Sequence, residues 1–515
     1  MTWEPELDQL RRLRDLAAAH GGPERVRRHH AAGRLLVRER IDRLVDEGSF
    51  REVGSVAGFA RYDDGELVDF LPANLVAGRA TIEGRPVVVV GDDFTVRGGA
   101  ADAAIHRKMV YAEQLALSFR IPLVRLVEGS GGGGSVKSYL ELGRTYVPPL
   151  PGWRTAIDLL GSVPVLAAAL GPVAGLGAAR VVTSHHSVMV AEASQIFVAG
   201  PPVVAYATHE EVGKEELGGA QVQAGNGTVD VVVDSEDDAF SHLRRILSYL
   251  PDNVWRPPPS SPTTDPPDRR DERLADLVPR RRRRSYDVRT LIDAVVDTGS
   301  FLEVGARWGR PVVVGLARLS GRPVGIVAHD PSVWGGAVTA AASDKLRRHV
   351  DLCDTFNLPI VAFVDVPGFA VGTAAERAAT IRHGAAAIAA LYQASVPYHA
   401  VIVRRAFGVA GAALVDRGDP NVRVAWPSGD WGSLPLEGGI EAAYRRDLAA
   451  ADDPDAMRDA LLAEFESIRS PIRTAQAFDI EEIIDPTETR PVLCEWVVLA
   501  YGALRPGPSR YTYRP

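Results

Sequence analysis

The sequence predicts an α/β protein built from two tandem domains of one fold. Three observations carry this: a length beyond one hydrophobic core, an internal duplication, and short apolar runs that alternate with helical stretches. The chain has 515 residues, whereas single cores stop growing at roughly 250–300 residues. The duplication is read from ordered matches. LVDEGSFREVG at 44–54 answers to VVDTGSFLEVG at 295–305. Gly84-Arg85-Pro86 answers to Gly321-Arg322-Pro323, 237 positions later, and the same offset relates Gly98-Gly99-Ala100 to Gly335-Gly336-Ala337 and Lys108 to Lys345. Further on, Ser162-Val163-Pro164 matches Ser395-Val396-Pro397 at an offset of 233, which sets Gly175-Leu176-Gly177 opposite Gly408-Val409-Ala410. Such self-similarity marks a repeated structural unit.

Each copy has the same grammar. A β-branched run (87–90; 324–327) leads into a glycine-rich turn, a helical stretch (101–119; 338–356) and a second apolar run (123–127; 360–364). Strands alternating with helices predict an α/β architecture. Continuous rather than alternating apolar runs predict strands covered on both faces. Between the copies, residues 256–284 read RPPPSSPTTDPPDRRDERLADLVPRRRRR, a composition expected to form a solvated linker. The expected layout is an N-terminal domain over 1–255, a linker over 256–286 and a C-terminal domain over 287–515.

Composition narrows the function. Hydrophobic residues make up 46% and charged residues 24%, with a net charge of −8. That balance argues against nucleic acid, whose binding is driven by positive charge. Residues 161–179 carry no charge over 19 positions, but Pro164, Pro172 and four glycines break them into a buried strand, turn and helix, not a membrane span. The charged first 16 residues lack the pattern of a secretory signal, and neither Cys353 nor Cys494 sits in a metal or disulfide pattern, so a cytoplasmic location is expected. The pairs His29-His30 and His185-His186 point their rings in different directions and suggest no metal site.

The sequence has no GxSxG, HExxH or GxxxxGK[ST] signature. What stands out is glycine in apolar turns, GPVAGLGA at 171–178 and GVAGA at 408–412. At a strand end, small residues let backbone N–H groups approach a ligand carbonyl, and at a following helix N-terminus those groups are unpaired and partly positive. Such a pair is a donor hole for a developing oxyanion.

At these residues the chain resembles the carboxyltransferase (beta) subunits of biotin-dependent acyl-CoA carboxylases of the propionyl-CoA and methylcrotonyl-CoA type. The similarity runs from about Arg38 to the C-terminus, through RERIDRLVDEGSF (38–50), GDDFTVRGGA (91–100), IFVAGPPVV (196–204), EELGGA (215–220), SGRPVGIVA (320–328), FVDVPGFAVGTAAE (363–376) and IIDPTETR (483–490). The resemblance implies two crotonase-like domains (the ClpP/crotonase ββα spiral) and a homohexameric core. The site would lie between the N-domain of one subunit and the C-domain of another. It implies transfer of a carboxyl group from carboxybiotin, carried covalently on a biotin carboxylase or biotin carboxyl carrier partner, to an acyl-CoA through an enolate. Amides around Gly175, Leu176 and Gly177 would hold the thioester oxygen, and amides around Gly408, Val409 and Ala410 the biotin oxygen. Gly98, Gly99, Gly368 and Phe369 would lie on the substrate side, and Lys108 is a candidate for the CoA phosphates.

Two departures from the family's pattern stand out. Leu176 interrupts the adjacent glycines usual in the first turn, which leaves the register of its amide donors open by one residue; Ala412 stands where propionyl-type members place an acidic gate, predicting an acyl group larger than propionyl. The stretch after Glu128, GSGGGGSVKSYLELGRTYV, also deviates and is expected to reshape the CoA entrance. Three other readings share these features: a biotin-dependent acyl-CoA decarboxylase subunit, a non-catalytic scaffold, and a crotonase-type hydratase or isomerase, against which the duplication counts.

Overall fold

The computed structural model describes all residues except 1, 101–102, 130–138, 141–142, 282–283 and 419. The chain divides into two compact units, Met1–Arg256 with Arg514–Pro515, and Pro257–Tyr513.

In the first unit the strands are β1 (Arg51–Glu52), β2 (Gly58–Asp63), β3 (Glu66–Pro72), β4 (Leu75–Ile82), β5 (Arg85–Asp92), β6 (Leu123–Gly129), β7 (Val165–Ala174), β8 (His186–Val190), β9 (Gln195–Phe197) and β10 (Val231–Val233). They form a sheet of order β1-β4-β5-β6-β7-β8-β10, with β9 beside β7 and β2-β3 as a separate hairpin. The second unit has β11 (Leu302–Val304), β12 (Val312–Leu319), β13 (Arg322–His329), β14 (Ile360–Val366), β15 (Tyr398–Phe407), β16 (Arg423–Ala425) and β17 (Asp430–Gly432). Their order is β11-β12-β13-β14-β15-β16, with β17 beside β15.

The two sheets are one topology used twice. In each, an antiparallel edge feeds parallel central strands. The duplication reaches the register: Val88 pairs with Leu123 and Gly325 with Ile360, each partner 237 positions on. The central strands carry continuous apolar runs because both faces are covered; Val87, Val88, Val89, Leu123 and Val165 are all fully buried. A crossover helix, His106–Phe119 or Ala340–Thr355, joins the parallel strands, and Thr339 caps the second by accepting the Ala342 N–H at 3.2 Å.

Residues 161–179 form the end of one turn, the fully buried start of β7 and the opening of a helix. The proline-rich stretch corrects one expectation. It is held against the second unit, because its main chain finds hydrogen-bond partners there: Arg490 Nε donates to Pro266 O at 3.0 Å, and Ser261 N donates to Gly321 O at 2.9 Å. Leu274 and Tyr286 enter that unit's core, with Leu277 and Val278 packed against it. Much of the glycine-rich stretch after Glu128, and two of the five arginines at 280–284, lie outside the described residues. Among the described residues, no helix is long and apolar enough to cross a membrane.

Candidate active site

Both glycine corners sit at the same place in the repeated fold. β7 ends at Ala174, Gly175 turns the chain, and the helix Leu176–Val182 begins. β15 ends at Phe407, and Gly408 opens the helix Gly408–Val415. A short parallel strand braces each turn: Ala174 pairs with Phe197 of β9, and Phe407 with Gly432 of β17. Gly175 adopts φ 57°, ψ −121°, a region open to glycine alone, and Gly408 adopts φ 60°.

The first corner differs from expectation by one residue. The Gly175 N–H is engaged, donating to Phe197 O at 3.3 Å and Val198 O at 3.2 Å, because β9 packs against it. The donors left at the helix start are those of Leu176, Gly177 and Ala178, which precede the first intrahelical bond, Ala179 N to Gly175 O at 3.0 Å; the first two lie nearest the turn. In the second corner Val409 is 61% exposed while Ala410 is buried. Ala412 lies exposed one turn along the same helix.

The other predicted glycines gather at these strand ends. Gly98 and Gly99 form a turn whose backbone would meet a Cβ placed on Gly129, at the end of β6, at 2.9 and 3.0 Å. Gly368 lies against the second corner: its nearest neighbour would be Phe407 O, 3.9 Å from an added Cβ. Phe369 pairs with Val338 in an isolated bridge and packs on Gly384, where a Cβ would fall 2.5 Å from its ring.

A cavity of about 40 Å³ in the first unit joins part of the set. Gly99 and Gly177 line it with Asp92, Glu113, Arg125 and Arg180; Asn74 and His106 border it as well. Glu113 Oε1 accepts from Arg125 Nη2 at 2.9 Å and from Arg180 Nη1. Burial pushes the Asp92 carboxyl up to about 7, against the Glu128 N–H that it accepts at 3.1 Å. At the same strand ends, Glu128 is paired with Arg34 and Arg40 at 3.0 and 2.6 Å, and Asp365, its duplicate, with Arg404 and Arg405 at 2.8 and 2.6 Å.

The carboxyl transferase domain family matches residues 28–510. The chain belongs to the carboxyl transferase family. It is 35% identical to the propionyl-CoA carboxylase carboxyltransferase subunit of Haloferax mediterranei over 95% of both chains. It is also 35% identical to the methylmalonyl-CoA carboxyltransferase 12S subunit of Propionibacterium freudenreichii subsp. shermanii, over 95% of this chain and 93% of that one. A crystal structure of the transcarboxylase 12S hexamer with methylmalonyl-coenzyme A and methylmalonic acid bound superposes at a TM-score of 0.87, with 32% identity over 100% of this chain and 99% of that one. The fold of this carboxyltransferase is therefore the double crotonase-like one.

Two features of the carboxyltransferase escaped the sequence. Lys108 is 7% exposed at its side chain and ion-paired with Glu52 at 3.4 Å; its duplicate Lys345 donates to Trp308 O at 3.0 Å. Both lysines brace a glycine turn, at Gly54 and Gly305. Arginines instead gather at a cleft of about 420 Å³ formed by Arg25, Arg28, Arg34, Arg97, Phe94 and Gly98. Arg25 and Arg28 stand exposed on the helix Pro23–Ala31. The paired histidines have structural partners: His185 bonds Val165 N and Leu160 O, His186 faces His242, His29 meets Leu35 O and His30 meets Glu39.

Proposed function

We propose that this carboxyltransferase moves a carboxyl group between biotin, carried on a partner subunit, and an acyl-CoA, with one reactant served by each glycine corner. The observation that carries it is the duplicated corner: two strand-to-helix turns in matched register, each with a positive-φ glycine and open amides. The relatives act on propionyl-CoA and methylmalonyl-CoA by name, and the 12S neighbour is described as a hexamer binding methylmalonyl-coenzyme A. They support an acyl-CoA substrate and a homohexameric core here.

Removing the α-proton of an acyl-CoA places negative charge on the thioester oxygen. The Leu176 and Gly177 amides are fixed before the reaction begins, so they stabilise that charge without reorganisation; one such donor is worth about 2.7–4 kcal/mol. Gly408, Val409 and Ala410 fit the ureido oxygen of biotin: the turn carries no charged side chain, and the left-handed φ of 60° at Gly408 is one that glycine adopts without strain, so the turn stays bare backbone there. When bound, biotin supplies the carboxyl group and the base. The protein supplies position and electrostatics. The arginine cleft beside Gly98 matches the phosphates of CoA, and Ala412 leaves room for an acyl group larger than propionyl.

The test is bicarbonate- and ATP-dependent carboxylation of an acyl-CoA panel by the purified chain with a biotin carboxylase and a biotinylated carrier. Carboxylation of butyryl-CoA or longer above acetyl-CoA and propionyl-CoA is the expected outcome. Best turnover of acetyl-CoA and propionyl-CoA would remove the Ala412 argument, and no turnover of any member would remove the activity.

A further inference from the structure

The cavity beneath Gly177 holds charges that its duplicate lacks. Arg125 pairs across the sheet with Val90, and the equivalent pair in the second unit is Ala362 with Val327. By the same offsets, Glu113 corresponds to Val350 and Arg180 to Ala413, all buried. The fold is therefore complete with Val, Ala and Ala at these positions. Three buried charges cost several kcal/mol each to desolvate unless paired, and apolar replacement of such clusters is often neutral or stabilising. Stability does not explain why the first unit carries them.

The cluster is also left unfinished. Arg125 spends its guanidinium on Glu113 Oε1 and on Thr183 O and Arg180 O, at 2.7 and 3.2 Å. Arg180 spends its terminal nitrogens on Glu113 Oε1 and Pro151 O. Glu113 Oε2 and Arg180 Nε are buried with no hydrogen-bond partner among the described residues. Glu113 and Arg180 line a single cavity, and Gly177, an amide of the first corner, lines that same cavity. Its volume of about 40 Å³ exceeds what one water needs, roughly 10–15 Å³.

We propose that this cavity receives a neutral hydrogen-bonding group, a hydroxyl or carboxamide, at the far end of a short acyl chain, so that Glu113, Arg125 and Arg180 select the substrate. The inference rests on the acyl-CoA reading of the Gly175 corner. A hydroxyl donates to Glu113 Oε2 and accepts from Arg180 Nε. A carboxylate meets the Glu113 oxygen as a like charge and leaves it without a donor. A methyl group leaves both spare atoms unpaired.

The experiment compares butyryl-CoA, 3- and 4-hydroxybutyryl-CoA and succinyl-CoA with the complete carboxylase, reading kcat/KM, and measures binding of each to the purified chain by calorimetry. The wild type is expected to favour a hydroxybutyryl ester over butyryl-CoA by about 10²-fold, as for a hydrogen bond to charged groups. The variant carrying Glu113→Val, Arg125→Ala and Arg180→Ala, which copies the second unit, is expected to lose that ratio. If it does not fold, Glu113→Gln is read instead and should lower the ratio about tenfold. Equal use of butyryl and hydroxybutyryl esters, meaning the cavity holds water only, overturns the proposal. A preference for succinyl-CoA, or a ratio kept by the variants, overturns it too. In each of these cases the acyl-CoA reading survives; failure of all four esters to bind removes that reading with it.

Discussion

Replacing Gly175 with alanine isolates what the first corner does. The added methyl group has space, since its nearest neighbour would be Val198 O at 3.9 Å. Its cost is conformational: φ 57°, ψ −121° is closed to a residue with a Cβ, and holding it there costs about 1–3 kcal/mol. The chain relieves that strain by rotating the turn, and the rotation carries the Leu176 and Gly177 amides away from the thioester oxygen. Losing one donor corresponds to about 10²–10³ in kcat. The binding of CoA itself, remote from the turn, should hardly change. Steady-state carboxylation kinetics, with denaturant unfolding as control, should show kcat down at least about a hundredfold, KM for acyl-CoA within a few-fold, and a stability loss inside the strain range. A variant that is destabilised but keeps full kcat would refute the reasoning, because the strained turn would then not be positioning the donors.

Other expectations follow from the same geometry. Asp92 keeps its proton to about pH 7 in the folded chain, against about 3.8 for an ordinary carboxyl, so it costs folding stability progressively as pH rises from 3.8 to 7, by about 4 kcal/mol in all. Asp92→Asn should gain stability on the parent between denaturant titrations at pH 5 and pH 8; parallel curves would contradict this. Arg25→Ala with Arg28→Ala should raise KM for acyl-CoA about tenfold, as for two exposed charge contacts, and weaken its salt dependence; an unchanged KM removes the cleft from the CoA site. Lys108→Ala should lower stability by about 1 kcal/mol while leaving KM unchanged, because Glu52 keeps its bond to Arg38 at 2.5 Å; a raised KM would return Lys108 to the CoA phosphates.

The duplicated α/β plan was legible because the repeat preserves its turn residues: Gly84 and Gly321 end matching hairpins, and Gly98 and Gly335 begin matching turns. The two corners were legible for the same reason. What escaped was made by contacts between distant elements. That Gly175 spends its amide on Phe197 and Val198 depends on β9 returning beside β7, which no local pattern announces. Glu113, Arg125 and Arg180 come from a helix, a strand and a second helix far apart in the chain, and only the register against Val350, Ala362 and Ala413 would have flagged them. The proline-rich stretch read as a linker because it is anchored by residues far along the chain, Gly321 and Arg490, and Lys108 read as a candidate for the CoA phosphates although it is buried against Glu52.

On the proposed function, main-chain donors at both corners, not side chains, hold the charge that develops in the reaction. The decisive test is reverse transfer of label from carboxyl-labelled ethylmalonyl-CoA, the carboxylation product of butyryl-CoA, to a biotinylated carrier, followed in a single turnover. Transfer by the parent chain is expected, with rates at least about a hundredfold lower for Gly175→Ala and for Gly408→Ala, each folded and each still binding the CoA ester. Transfer at the parental rate by both variants, or none by the parent under any carrier, would contradict it.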